Sequence, residues 1–199
     1  MSIIHDRRSI RKFKDAPIPH GDIEKIISAG MQAPSTKNNQ PWRFVVVEND
    51  AKADMLFAME KGLEQELLLP KLPDSGRHVS SARHTMSIMA QAPVTIFIIN
   101  PLNKMECLSH DWESRIFEVA NIQSVGACIQ NMLLQAVELG YGSLWNCNIY
   151  LAYHEISAWL ETEQQVVAAV SFGIPNEQPN ARPRKGMHEL VEWKSAKKL

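Results

Sequence analysis

The chain has 199 residues, 45% hydrophobic and 22% charged, with a formal net charge of −1 at pH 7. That length matches one compact domain, and the composition excludes a disordered, collagen-like or disulfide-stapled chain. No apolar run reaches the roughly 18 residues of a membrane helix; the longest clean one, Val94 to Ile99, suits a buried strand.

The opening Met1-Ser2-Ile3-Ile4-His5-Asp6 turns charged before a signal-peptide core could develop, so a cytoplasmic protein is expected. It leads into Arg7-Arg8-Ser9-Ile10-Arg11-Lys12-Phe13; in a helical segment Arg7 and Arg11 would share a face. After Pro17 and Pro19, Asp22 is placed to cap a helix through Ile23, Ile26, Ile27 and Met31, which Pro34 ends. A polar loop follows, then a β-branched strand from Arg43 to Val47. Asn49 or Asp50 opens a second helix through Met55, Leu56 and Met59, running into Leu67 to Arg77, where Pro70, Pro73 and Gly76 break regular structure and mark an insertion. Residues 80–91 read as a helix, Val94 to Asn100 as a buried strand, and Arg115 to Leu139 as a long helix apolar on more than one face. Its small residues Ser124, Gly126, Ala127 and Cys128 suit a domain core or a dimer interface equally. Ser143 to Cys147 and Val166 to Phe172 are further strands, with a helix from Tyr153 to Leu160 between them. Pro175, Pro179 and Pro183 keep the tail extended.

Charge is divided unevenly. Residues 1–14 set Arg7, Arg8, Arg11, Lys12 and Lys14 against Asp6 alone, and residues 180–199 set Arg182, Arg184, Lys185, Lys194, Lys197 and Lys198 against Glu189 and Glu192. Basic ends on an acidic body fit nucleic-acid arms, solvated tails, or two halves of one anion site brought together by folding. The arginines are spaced as bidentate phosphate recognition prefers, whereas Lys194, Lys197 and Lys198 read as tail charges. Nucleic-acid binding lacks its other marks, since the chain is not basic overall and carries no recognised binding motif.

Familiar catalytic signatures are missing: no G-x-G-x-x-G, no G-x-x-x-x-G-K-[ST], no G-x-S-x-G and no H-E-x-x-H. The histidines lack metal-ligand spacing, and Cys107, Cys128 and Cys147 contain no Cys-x-x-Cys pair, which agrees with a reducing compartment and disfavours structural zinc. Cys128 sits in an apolar helix as packing; Cys147, at a strand end, stays open. Two stretches carry the chemical signal. The Arg7-to-Arg11 segment, with the Ser9 hydroxyl, can hold a dianionic phosphate or can be a solvated basic face. The loop Ala33-Pro34-Ser35-Thr36-Lys37-Asn38-Asn39-Gln40-Pro41-Trp42 offers hydroxyls and amides that match a heterocycle edge, or that merely cap backbone groups.

Taken together and in order, these segments resemble the FMN-dependent nitroreductase family. The resemblance rests on Arg-Arg-Ser-Ile-Arg-Lys-Phe, Pro17-Ile18-Pro19, the Ala-Pro-Ser loop closing on Asn-x-Gln-Pro-Trp-x-Phe, Gln130-Asn131-Met132-Leu133-Leu134-Gln135-Ala136, Gly140-Tyr141-Gly142-Ser143-Leu144-Trp145, and Phe172-Gly173-Ile174-Pro175 through Arg184. It covers nearly the whole chain and is weakest over residues 60–90.

The resemblance implies an α+β fold in α/β/α layers, with a mixed, mainly antiparallel sheet flanked by helices, as one FMN-binding domain over residues 1–199. Within it, 60–90 would be a variable insertion and 175–199 an extended arm wrapping a partner. It implies a homodimer whose two FMN sites lie at the subunit interface. Arg7, Ser9 and Arg184, with Arg182, would hold the phosphate; Arg8 would brace the same segment; Arg11 would approach the flavin N1/O2 edge and tune the flavin. Pro34, Ser35, Thr36 and Asn38 would come from the second chain, and Trp145, Asn146, Cys147 and Asn148 would lie near N5. The family often has glycines after that Trp, where this chain has Asn146-Cys147-Asn148. Flavin carries the redox chemistry itself, so no side-chain nucleophile or metal is expected. The activity implied is ping-pong transfer from NADH or NADPH to a small acceptor such as a nitroaromatic or quinone. A flavin-storing or sensing module, a flavin destructase and a reductive dehalogenase are the alternatives. Acceptor choice would fall to the irregular stretch Leu102 to Arg115, where Trp112 either lines the pocket or packs at a helix start, and to the insertion near 67–77.

Overall fold

The computed structural model describes residues 2–104 and 111–194. In chain order it contains α1 (Ile3–Asp6), α2 (His20–Met31), β1 (Arg43–Glu48), α3 (Ala51–Leu68), α4 (Ser75–Gln91), β2 (Val94–Lys104), α5 (Trp112–Glu138), β3 (Gly142–Asn146), α6 (Tyr153–Trp159), β4 (Gln164–Gly173) and α7 (Met187–Leu190). The strands form one sheet in the order β1-β2-β4-β3, antiparallel at each pairing.

Alternation in β2 builds three layers. Val94, Ile96 and Ile98 face a core shared with Ile23 and Ile26 of α2 and Val125, Ile129 and Met132 of α5. Phe97 and Ile99 face the opposite core with Met55, Met59 and Leu63 of α3, Val79 and Met89 of α4 and Ile156 of α6. A strand apolar on both faces is what a sheet covered by helices on both sides demands. The register slips where Ile98 pairs with Ala168 but Ile99 with Val166, leaving Val167 as an extra residue. Val167 and Ala168 therefore join the same core, as a β-bulge requires.

Several expected boundaries move. Residues 7–13 are extended, not helical: α1 stops at Asp6, Ser9 makes a parallel bridge to Ser143, and Phe13 an antiparallel one to Pro175. Burial of Ile10 and Phe13 against Leu144, Ile88 and Ala92 outweighs the helical spacing of the arginines. The parallel bridge makes the arrangement mixed at the β3 edge. Asp22 does not cap α2, which begins two residues earlier after Pro19. Its carboxylate instead accepts from Lys25 at 2.9 Å and from the Tyr141 hydroxyl at 2.8 Å, bonds that hold it below the usual carboxylate range. The proline-broken stretch is shorter than 67–77, because α3 runs through Leu68 and α4 starts at Ser75. Glu66 ties the intervening turn, accepting from the Lys71 and Leu72 amides at 3.0 and 3.2 Å and from the Ser75 hydroxyl at 2.5 Å. Leu102 to Arg115 is not uniformly irregular: β2 extends to Lys104 and α5 begins at Trp112. Residues 105–110, with Cys107, and Lys197 and Lys198 lie outside the described residues.

Candidate functional site

The two basic ends meet. A cavity of about 380 Å³ is lined by Arg7, Arg8, Ser9 and Arg11 from the opening segment and by Pro179, Asn180, Ala181, Arg182 and Arg184 from the tail. Backbone pairing brings them together: Ile10 donates to Ser143 O at 3.0 Å, Lys14 to Ile174 O at 2.9 Å, and Asn176 to Lys12 O at 2.9 Å. The opening strand thus lies between the β3 edge and the tail. Two glycines make room for it. A Cβ at Gly142 would stand 2.7 Å from Ile10 Cγ1, and one at Gly173 would stand 2.7 Å from Phe13 Cδ1.

Within this cradle Arg8 braces its own segment, donating to His5 O at 2.5 Å and Arg7 O at 2.9 Å. Arg11 donates from Nη1 to Ser9 O at 3.2 Å, and its backbone N–H donates to the Glu177 carboxylate. Among the described residues, Arg7, Arg182 and Arg184 have no carboxylate within ion-pair distance. Uncompensated guanidiniums around one hollow are costly unless an anion enters, and guanidinium with hydroxyl is the donor set a phosphate monoester takes.

The stretch Trp145 to Asn148 leaves the same edge strand that Ser9 bridges. Asn146 is 2% exposed and turns inward, donating to Ser171 Oγ at 3.0 Å. Asn148 is pulled to α4, donating to Thr85 Oγ1 at 2.7 Å and Ser81 O at 3.3 Å. The amides that replace the expected glycines are therefore drawn into the protein. Ser143 Oγ and Asn146 Oδ1 are buried without a hydrogen-bond partner among the described residues. Cys147 is exposed, yet desolvation raises its thiol above the ordinary value; burial pushes Cys128 up to about 12. Both are neutral thiols near pH 7, unsuited to nucleophilic work. Tyr150 is likewise pushed to about 12, first by burial, and its hydroxyl donates to Val167 O at 2.5 Å.

Pro34, Ser35, Thr36 and Asn38 do not line the arginine cradle. Their loop lies along α5, where the Thr36 amide donates to Ser124 Oγ at 3.3 Å and Lys37 Nζ stands 4.7 Å from the Phe117 ring centroid. Lys37, Asn38 and Gln40 have φ of 51°, 56° and 48°, a left-handed run without glycine that clusters at functional loops. Trp145 meets α5 elsewhere, its ring 4.0 Å from the Cβ position of Gly126. Trp112, at the start of α5, does not line the arginine cradle, and at 78% exposed it is not packed at the helix start. The segment near 67–77 borders a separate cavity of about 350 Å³, where Leu68, Leu69 and Lys71 face Tyr150 and Tyr153.

The sequence model of the nitroreductase family matches residues 4–174, from the opening segment through β4. The chain belongs to the nitroreductase family. A relative from Archaeoglobus fulgidus, named as an NADH dehydrogenase/NAD(P)H nitroreductase, is 31% identical over 89% of this chain and 86% of its own. Among solved structures, a BluB-like flavoprotein from Clostridium difficile 630 superposes with a TM-score of 0.80 at 28% identity, covering 97% of each chain. A nitroreductase from Desulfovibrio desulfuricans in complex with FMN gives 0.69 at 27% identity, covering 97% of this chain and 95% of its own.

In this nitroreductase-family chain, the sequence reading missed Glu177 and the Pro179 to Ala181 wall of the cradle. No local signal marks them. Glu177 is one acidic residue in a proline-punctuated tail, and only the pairing of that tail with residues 11–14 gives it a partner. No described helix is long and apolar enough to cross a membrane, and no group of metal-ligating side chains occurs among the described residues.

Proposed function

We infer that the chain is a single FMN-binding unit acting as a homodimeric, cytoplasmic oxidoreductase that takes electrons from NADH or NADPH and passes them to a nitroaromatic, quinone or similar small acceptor. The observation that carries this reading is the convergence of Arg7, Arg8, Arg11, Arg182 and Arg184 on one cavity, three of them without a carboxylate partner among the described residues. The cavity lies within the size range of small-molecule sites and fits the phosphate and the start of the ribityl chain. The FMN complex of the Desulfovibrio desulfuricans relative supports the same cofactor.

FMN supplies hydride and electron transfer when bound, so the protein's task is binding, orientation and electrostatics. Arg7, Ser9, Arg182 and Arg184 hold the phosphate, while Arg8 stiffens the segment that presents them. Arg11 places a fixed positive charge where negative charge accumulates on two-electron reduction, which favours the reduced form. The inward Asn146 and Asn148 leave the space beside Trp145 to Asn148 unobstructed by their amides, which favours turnover over a storage role. One pocket serving donor and acceptor in turn gives ping-pong kinetics.

The surroundings of α5 support the reading of a second copy. Thr36 bonds Ser124 and Trp145 approaches Gly126; at 100° per residue these positions differ by about 200° around the helix. The Pro34 to Asn38 loop and the Trp145 strip therefore approach α5 from opposite sides, and a two-fold partner brings the loop of one chain to the strip of the other. Trp112, Ile116, Val119 and Ile122 leave an exposed apolar stripe on α5 for that contact.

The test is spectroscopic. Purified protein reconstituted with FMN should show bound-flavin absorbance that NADH or NADPH bleaches under argon and an acceptor restores, with FMN recovered intact. Colour without bleaching would favour the storage module, loss of FMN would favour a destructase, and absence of flavin binding would overturn the assignment.

A further inference from the structure

We propose that Glu177 is a positioning residue of the anion cradle, holding Arg11 through its backbone and fixing the point at which the tail turns to present Arg182 and Arg184. The inference rests on the FMN reading of the cradle. Between residues 12–14 and 174–176 the two chain ends pair by backbone alone: Lys14 donates to Ile174 O, Asn176 donates to Lys12 O, and Phe13 opposes Pro175. The backbone ladder ends there, and Glu177 continues it with a side chain, its Oε1 accepting the Arg11 N–H. Two residues later Pro179 enters the cavity wall.

Arg11 is thus held at two points. Glu177 holds its amide, and Ser9 O accepts from its guanidinium at 3.2 Å. Without the Glu177 carboxylate, a half-buried N–H loses its acceptor and the tail loses its last tie before the turn. The tail arm of the cradle would then drift, because the arginines repel one another and its backbone pairing stops at Asn176, while the opening arm stays seated through the Ile10 amide on Ser143 O. A side chain of that length with an acceptor at its end is what the position needs; the negative charge is secondary. Glutamine meets the requirement, whereas aspartate falls one methylene short.

Three variants separate position from charge: Glu177→Gln, Glu177→Asp and Glu177→Ala. Two readouts are used. In FMN-free protein, hydrogen exchange at the Arg11 amide should be slow in the wild type and Glu177→Gln and fast in Glu177→Asp and Glu177→Ala. In FMN titrations followed by flavin fluorescence, Glu177→Gln should bind within about twofold of the wild type, and the other two should bind roughly tenfold more weakly. The midpoint potential of bound FMN should fall with Arg11 displacement and recover in Glu177→Gln. Rescue by Asp but not Gln would show that charge governs and overturn the proposal, as would wild-type affinity in Glu177→Ala. A wild type that binds no FMN would sink the cofactor reading instead, while the Arg11 amide still decides whether Glu177 holds the strand.

Discussion

Replacing Arg184 with alanine tests the cradle most directly, because this guanidinium is exposed and has no carboxylate within ion-pair distance among the described residues. In the flavin-free protein its removal breaks no ion pair and slightly relieves repulsion, so stability should stay within about 0.5 kcal/mol, as for ordinary surface changes. In the flavin-bound protein it removes a charge-assisted contact to phosphate, about 1.5–3 kcal/mol, or roughly 10- to 150-fold in Kd. Thermal melts with FMN make the contrast visible. At a concentration 100 times the wild-type Kd, binding stabilises by about 2.7 kcal/mol, an upshift of roughly 5–11 °C for a chain of this size. At that concentration the variant gains only about 0.3–1.4 kcal/mol, an upshift of roughly 1–6 °C. Arg7→Ala should behave alike. If the variant melts lower without FMN and keeps the full FMN upshift, Arg184 is a structural residue and the phosphate has been misplaced.

Gly142→Ala puts a Cβ 2.7 Å from Ile10 Cγ1 and 2.9 Å from Ile10 Cβ, atoms too close to the backbone to swing aside. It should cost about 1–3 kcal/mol in urea unfolding and weaken FMN binding as Ser9 is pushed off β3; unchanged stability would mean that the strand is not seated as described. Cys147, its thiol raised by burial, should react slowly with iodoacetamide at pH 7 and faster above pH 9, and Cys147→Ser should keep the bound-flavin spectrum. Fast alkylation at pH 7 would contradict that assignment. Glu66 is held below its ordinary pKa, chiefly by the Ser75 hydroxyl and then by the Lys71 amide. Its stabilisation is therefore complete above about pH 4.3 and lost as pH falls through the lower folded value. Glu66→Ala should cost about 1–3 kcal/mol at pH 7, and the gap from the wild type should close in melts taken below pH 4; a gap constant with pH would refute the role.

The sheet and helices were legible because their signals are periodic and local: the unbroken apolar run of β2, the Ile23/Ile26 spacing of α2 and the length of α5 each state their own burial. The opening segment was legible in composition but not in shape. Its arginines sit at helical spacing, yet Ile10 and Phe13 gain more by burying against Leu144 and Ile88 than a short helix gains from local bonds. Asp22 shows the same limit, since its cap position was plausible until the Tyr141 hydroxyl, 119 residues away, claimed the carboxylate. The Asn146-Cys147-Asn148 departure was visible as letters, but whether those amides would block the site depended on Ser171, Thr85 and Ser81, which no local pattern connects to them.

The two ends of the proposed site depend on different assemblies. The arginine cradle is closed by backbone pairing inside one chain, so a phosphate held there would need no partner. The Pro34 to Asn38 loop and the Trp145 strip approach α5 from opposite sides of the same chain, so in the proposed homodimer the ring end would be complete only in the pair. The two ends then have different linkages: phosphate affinity depends on the fold of one chain, and ring affinity depends on association. A ligand bridging both ends binds the pair more tightly than the single chain, and by mass action it must stabilise the pair by the same factor. In that proposed pair the exposed stripe of Trp112, Ile116, Val119 and Ile122 would supply association without specificity, and the loop with positive φ at Lys37, Asn38 and Gln40 would supply geometry. Flavin spanning the proposed seam would couple the two, which would give a reason for the left-handed backbone at Lys37, Asn38 and Gln40 in a loop that does not line its own chain's cradle.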